Sequence, residues 1–195
     1  DCHGHYTTTP PQVEAYRNNQ RALLAKDPNH IFEKGDMPIS DDEIHESIAT
    51  NQLKLQQERG TDLTIFSPRA SWMGHDLGNA STSRAWTEHC NDLIRRVCDL
   101  FPDNFVPVCQ LPQSPETNLE NSIAELERCV NEMGFIGCNL NPDPSGGFWK
   151  DPRLSDRYWY PFYEKMVELD VPAMIHVSGA CQHAHDTTSS YYLGA

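Results

Sequence analysis

Five short apolar runs alternate with longer amphipathic segments along the chain. Each run is apolar at consecutive positions, which is typical of a strand buried on both faces of a parallel sheet. We therefore predict strands within residues 1–6, 63–67, 105–111, 135–140 and 171–177.

The segments between these runs carry apolar residues at helical spacing. The first helix is predicted to begin at Pro10 and the second at Ser40, where Glu43 three residues later completes a capping box. Gly60 is the predicted end of the second helix, and Gly134 is the predicted end of the fourth.

Strands that alternate with helices predict successive βα units and a parallel sheet. Two architectures fit this pattern, an open doubly wound sheet and a closed (β/α)₈ barrel of the TIM type. A Gly-rich phosphate loop is missing after the first strand, which disfavours a nucleotide-binding open sheet. A full barrel takes about 250 residues. We therefore expect residues 1–195 to be a single barrel-type α/β domain with about five βα units, truncated at both ends.

Composition limits which binding partners and which cellular compartment are expected for this protein. Fifteen Lys and Arg against 28 Asp and Glu give a net charge of −13, which argues against a nucleic-acid or anionic-membrane partner. The apolar runs are all shorter than the roughly 18–20 residues that span a bilayer. The seven cysteines are odd in number and lack Cys-x-x-Cys spacing, so we expect free thiols in a reducing cytoplasm.

Three histidines at strand ends carry the strongest chemical signal. His3 and His5 are two residues apart in the first strand, so their side chains project to the same side. His176 ends the fifth apolar run. Two imidazoles so spaced can chelate zinc, and three histidines leave the open position that a catalytic zinc keeps for water or substrate.

Other residues are weaker candidates for catalytic, metal-ligating or substrate-binding roles. Cys181 could act as acid, base or nucleophile, although a free thiol is the simpler interpretation. His183 and His185 form a second His-x-His in a loop and compete with His176 as ligands. Arg69, near His75 in the loop after the second strand, could hold a carboxylate or form a surface ion pair. Three histidines beside exposed-looking helical segments are given no role: His30, His45 and His89.

Longer motifs extend the histidine pattern. The sequence resembles the amidohydrolase superfamily, in particular its branch of metal-dependent decarboxylases and hydratases, and is most similar to the 4-oxalomesaconate hydratases. The resemblance runs over nearly the whole chain. Five stretches carry it: DCHGH (1–5), FSPRA (66–70), QLPQSP (110–115), GCNLNPDPSGG (137–147) and MIHVS (174–178).

The resemblance implies a (β/α)₈ barrel that binds one zinc ion, or another divalent ion, through His3, His5 and His176. It implies the addition of water to a carbon–carbon double bond of 4-oxalomesaconate, a small anionic tricarboxylate, during protocatechuate or gallate degradation. Arg69 and Tyr192 are the implied substrate-binding residues, and the family's late-strand carboxylate is expected beyond residue 195. His75, near Arg69 in the sequence, is a further substrate-binding candidate.

Two alternatives stay open from the sequence. The same metal scaffold serves non-oxidative decarboxylases of aromatic or muconate-like acids. A truncated, non-catalytic α/β module is the second alternative, and the protein could be a monomer or a homo-oligomer. The net charge of −13 requires that any site for a polyanion be locally positive, through the metal and Arg69.

Overall fold

The computed structural model describes residues 1–178. All five predicted strands form within the described part, each shorter than its apolar run. They are β1 (Gly4–His5), β2 (Thr64–Ser67), β3 (Phe105–Pro107), β4 (Cys138–Leu140) and β5 (Ala173–Ile175). Among the described residues, no helix combines the length and the apolar character needed to cross a bilayer.

The strands pair in parallel and in chain order. β1 pairs with β2, β2 with β3, and β4 with β5. A parallel bridge between Cys109 and Cys138 joins β3 to β4. A doubly wound sheet would reverse its strand order at a switch point, whereas a TIM barrel adds its strands in sequence. The observed order therefore excludes the doubly wound alternative and follows the barrel.

Helices separate the strands as predicted. Two of them continue into a π-helical turn, Ala49–Leu53 after α2 and Arg128–Glu132 after α5. The α-helices are α1 (Pro11–Lys26), α2 (Asp41–Ile48), α3 (Lys54–Glu58), α4 (Ala80–Leu100), α5 (Glu120–Glu127) and α6 (Tyr160–Leu169).

Local signals set several helix ends. The predicted capping box at Ser40 is confirmed, because its side chain accepts from the Glu43 amide while the Glu43 carboxylate accepts from the Ser40 amide. Asn79 caps α4 in the same reciprocal way. Gly134 follows the π-helical turn after α5 with φ of +68°, a conformation that costs glycine little.

Helix α4 supplies much of the core beneath β2 and β3. Its buried face includes Trp86, whose indole nitrogen donates to the Trp72 carbonyl at 3.0 Å. One prediction was wrong here: His89 is buried on this helix, and its Nε2 lies 2.7 Å from the Lys34 carbonyl. The long connection between α1 and α2 covers this face, and that tertiary contact is invisible in the local pattern.

The loops at the carboxyl edge of the sheet are cross-linked. Gln113, after β3, exchanges two hydrogen bonds with the backbone of Asn141, after β4, at 2.8 and 2.9 Å. The Asn141 side chain donates in turn to the Met73 carbonyl in the loop after β2. Three successive loops are thereby held as one surface around the edge where the candidate site lies.

Asn91 ties this surface to helix α4. Its side chain is fully buried and makes two hydrogen bonds with the backbone of Gln110. The side-chain NH₂ donates to the backbone carbonyl at 3.0 Å, and the side-chain oxygen accepts from the backbone N–H at 3.0 Å. The side-chain NH₂ also donates to the Glu125 carboxylate of α5 at 2.7 Å. One side chain therefore joins two helices to the loop after β3.

Replacing Asn91 by Ala should lower the free energy of unfolding by about 2–4 kcal/mol, because two buried backbone groups of Gln110 lose their partner. Urea unfolding measures the change. Asn29→Ala, at an exposed position, is the matched control and should shift stability by less than about 0.5 kcal/mol. Equal effects for the two variants would contradict the structural role of Asn91.

Candidate metal centre

His3, His5 and His176 converge at the carboxyl edge of the sheet. The Nε2 atoms of His5 and His176 lie 3.0 Å apart, and those of His176 and His3 lie 3.1 Å apart. A flat sheet would separate the first strand from the fifth by about 19 Å, at four strand spacings. The sheet is therefore curled, so that side chains from β1 and from the end of β5 meet inside it.

Hydrogen bonds on the far side of two rings orient these histidines. Nδ1 of His5 lies 2.8 Å from the Pro68 carbonyl, and Nδ1 of His176 lies 3.1 Å from the Val177 carbonyl. A carbonyl only accepts, so each Nδ1 is the protonated nitrogen that donates to it. Each Nε2 then carries a lone pair that points into the cluster, which is the usual arrangement of metal-ligating histidines.

The cluster fits a divalent cation. Two lone pairs that face each other at 3.0 Å repel, and a cation between them converts that repulsion into two attractive contacts. Tetrahedral zinc with bonds of 2.0–2.1 Å places its nitrogen ligands about 3.3 Å apart. The nitrogen separations observed here are close to that value, and all three ligand atoms lie within 4.8 Å of one another. Within residues 1–178, no acidic side chain joins this set.

The cluster also favours neutral imidazoles. Burial is the main cause that lowers the pKa of His5 to about 4, and charge on His3 or His176 acts in the same direction. Burial, followed by the influence of His3, lowers the pKa of His176. Neutral imidazole is the form that binds a metal, so the environment prepares both rings for coordination at neutral pH.

Gly4 separates the two histidines of β1 for a steric reason. A Cβ atom at this position would overlap Cγ2 of Thr64 and would lie 3.3 Å from the Phe66 ring. Strand β2 therefore packs against the bare backbone of β1, while the flanking histidines project to the opposite side. The glycine sets the close approach of the strands that carry the centre.

Ser67 and Pro68 belong to the site although the sequence analysis did not single them out. Ser67 pairs with His5 in the register of β1 and β2, and its hydroxyl lies 3.0 Å from Nδ1 of His5. Ser67 ends the second predicted strand and Pro68 follows it directly, beside β1. That position is the signal by which they could have been found.

The remaining predicted residues fall in three different settings. Arg69 is exposed in the loop after β2, one residue beyond the Pro68 carbonyl that contacts His5. His75 is buried, lies 2.7 Å from Ser83 through Nδ1, and has its pKa lowered to about 3 mainly by burial. Its substrate role stays a prediction. Four predicted residues lie outside the described part of the chain: Cys181, His183, His185 and Tyr192.

Comparison with known proteins decides the family. The amidohydrolase family profile matches residues 1–192. The chain belongs to the amidohydrolase family. Its βα units accordingly have the TIM-barrel type of fold that the sequence predicted.

Two amidohydrolases with hydratase names are similar over most of the chain. The 2-keto-4-carboxy-3-hexenedioate hydratase of Sphingobium sp. is 60% identical over 196 residues, covering 100% of this chain and 56% of the relative. The crystal structure of 4-oxalomesaconate hydratase from Rhodopseudomonas palustris superposes with a TM-score of 0.82 at 55% identity, covering 91% of this chain and 52% of that one. The chain thus spans about half the length of these hydratases.

A more distant amidohydrolase structure contains a metal. It is a dihydroxybenzoic acid decarboxylase from Polaromonas sp. JS666, with bound manganese and the inhibitor 2-nitroresorcinol. Its TM-score is 0.55 at 26% identity, over 73% of this chain and 41% of that one. A divalent ion therefore occurs in a relative of this amidohydrolase.

The histidine cluster should bind one divalent ion per chain, and His5→Ala should weaken binding at least 100-fold, because one of three ligands is lost. Calorimetric titration with Zn²⁺ and with Mn²⁺ measures the affinity, and elemental analysis after dialysis measures the stoichiometry. His45→Ala, at an exposed helical position, is the control and should bind like the parent chain. Unchanged affinity in His5→Ala would exclude this centre.

Gly4→Ala should destabilise the protein by about 1–3 kcal/mol and weaken metal binding, because the new methyl group forces β1 away from Thr64. Thermal unfolding and metal titration measure the two effects. The double variant Gly4→Ala/Thr64→Ser removes the overlapping Cγ2 atom and should recover much of both losses. If the double variant binds metal no better than Gly4→Ala alone, the steric explanation is wrong.

Proposed function

We propose that this amidohydrolase chain carries the metal centre of a hydratase that adds water to the double bond of 2-keto-4-carboxy-3-hexenedioate, also called 4-oxalomesaconate. The supporting observation is the 60% identity to the Sphingobium hydratase, which extends over the whole of this chain. The chain itself brings three histidines together in one cluster.

We propose zinc as the ion, with manganese as the alternative. Three imidazoles, two pairs of which have Nε2 atoms near the separation found around tetrahedral zinc, suit this ion, which prefers nitrogen and sulfur ligands. Manganese is the ion in the Polaromonas decarboxylase structure. When bound, a divalent ion acts as a Lewis acid and lowers the pKa of water towards 7.

The substrate name defines the chemistry that the residues must serve. The 2-keto group is conjugated with the double bond, so the hydroxyl adds at C4 and a proton adds at C3. In between, negative charge develops on the keto oxygen. His5 and His176 contribute by holding their lone pairs in place through the Pro68 and Val177 carbonyls.

Binding of the three carboxylates requires cationic side chains. Arg69 is the proposed anchor, because its guanidinium is exposed at the carboxyl edge next to Pro68. Tyr192 as a substrate contact follows the family resemblance. Cys181 as the acid–base group and His75 as a further substrate contact complete the proposal from the sequence pattern. A late-strand carboxylate remains the alternative acid–base group.

A reducing compartment, the cytoplasm, is part of this proposal. All six cysteines in the described part of the chain are free, and five of them are buried. Burial is the main cause that raises the pKa of the Cys98 thiol and of the Cys138 thiol to about 12, which keeps them unreactive.

The nearest alternative function is decarboxylation of an aromatic acid. The likeness to the Polaromonas decarboxylase supports it, although at 26% identity against 60% for the hydratase. Both reactions can use one divalent ion and an anchored carboxylate, so the histidine cluster alone does not separate them.

When the metal-loaded protein is incubated with 4-oxalomesaconate, the ultraviolet absorbance of the conjugated substrate should fall. The product should be heavier than the substrate by one water. His5→Ala should reduce the rate at least 100-fold, because the ion is lost, while His45→Ala should not. Ultraviolet absorbance and mass spectrometry follow the reaction. Release of carbon dioxide without a hydrated product would overturn the hydratase proposal in favour of decarboxylation.

A further inference from the structure

A cavity of about 420 Å³ lies between helix α1 and the loop after β2. Its size is that of a small-molecule site. Three arginines and two acidic residues are among those that line it: Arg17, Arg21, Arg69, Glu14 and Asp76.

Arg17 is the unusual member of this lining. It is only 7% exposed, and burial lowers its pKa to about 10, so the guanidinium stays protonated at neutral pH. It donates to Gln20 at 2.9 Å and to the Gly74 carbonyl at 3.3 Å, and it lies 4.8 Å above the Trp86 ring. All these partners are neutral.

The charge on Arg17 is therefore not balanced by direct pairing. Within residues 1–178, Arg17 forms no ion pair, whereas Arg21 is paired with Glu14 at 3.2 Å. The carboxylates of Asp76 and Glu14 act on Arg17 only at longer range. A buried cation without a directly paired anion is costly, and an anion in the cavity would supply that partner.

The position of the cavity relates it to the metal centre. The loop that begins with Pro68 contacts His5 through the Pro68 carbonyl and contacts Arg17 through the Gly74 carbonyl. Arg69 lies between these two contacts in the sequence and lines the cavity from the loop side. One segment therefore joins the histidine cluster to the arginine cavity.

We propose that Arg17 and Arg69 form a carboxylate subsite in this cavity, with Arg17 as a binding residue additional to Arg69. The subsite rests on the proposed function in one respect, since its carboxylate would belong to the tricarboxylate substrate. A planar guanidinium can hold a carboxylate through two parallel hydrogen bonds, which gives both affinity and orientation. Inorganic phosphate is the other anion that this chemistry could accept.

The test uses binding of tricarballylate, a stable tricarboxylate, to the metal-loaded chain by calorimetry. Arg17→Gln and Arg69→Gln should each weaken binding at least tenfold, whereas Arg17→Lys should keep part of the affinity, because it retains the charge without the planar fork. Arg59→Gln removes one exposed positive charge at the opposite edge of the sheet and should bind like the parent chain.

Two further measurements control for misfolding and distinguish carboxylate from phosphate as the bound anion. Thermal unfolding checks that Arg17→Gln is folded, and Arg69→Gln tests the same cavity at an exposed position where folding is not at risk. Phosphate, titrated in place of tricarballylate, separates the two anion sources. Tight phosphate binding that needs the same arginines would overturn the carboxylate assignment.

The experiment distinguishes failure of the carboxylate subsite from failure of the proposed hydratase reaction. If Arg17→Gln binds tricarballylate as tightly as Arg59→Gln, the subsite is wrong even where hydration of 4-oxalomesaconate is observed. If the arginine variants lose binding while the parent chain hydrates nothing, the subsite stands and the hydratase proposal fails. In an active chain, Arg17→Gln should raise KM more than it lowers kcat, because it removes binding of a carboxylate remote from the double bond.

Discussion

The contact of three imidazole nitrogens is the constraint on which the architecture depends. Side chains from β1 and from the end of β5 can meet at about 3 Å only if the intervening sheet curls, and sequential parallel pairing with helical crossovers is the arrangement that curls it. The far-side hydrogen bonds to Pro68 and Val177 then decide which nitrogen faces the centre. Fold and coordination chemistry are thus two consequences of the same geometry.

Very short strands suffice because the loops around them are braced. β1 has two residues, yet the Tyr6 amide donates to the Ser67 carbonyl at 3.0 Å and the Ile65 amide donates to the Asp1 carbonyl at 2.9 Å. Bare backbone at Gly4 allows β2 to approach closely. Rigid support of this kind fixes ligand atoms better than a free loop would, because the His5 and His176 rings are held from their far sides.

Local sequence patterns predicted several features of the fold and of the metal centre. The capping box at Ser40 sets the start of a helix from four residues, and apolar runs locate the strands because both faces of a parallel sheet are buried. His176 was predicted as a ligand from its place at a strand end, and the structure brings it to His3 and His5. The local pattern alone left the strand order open between a doubly wound sheet and a barrel, since the order depends on pairing between segments far apart in the chain. The family resemblance pointed to the barrel.

Burial of polar helix residues also escaped the local pattern. Arg17 and His89 look like surface positions in amphipathic segments. In the structure the Arg17 guanidinium lies over the Trp86 ring, and Nε2 of His89 contacts the Lys34 carbonyl. Such partners are brought together only by tertiary packing.

The protein carries a net charge of −13, yet the candidate metal centre and the arginine cavity lie at the same edge of the sheet. A surface field that repels anions at a distance is screened within about 10 Å at ordinary ionic strength, so short-range positive charge decides binding there. The loop after β2 places Pro68 against His5 and Gly74 against Arg17. Displacement of this loop would alter ligand orientation and anion recognition together, which makes it the element that couples the two.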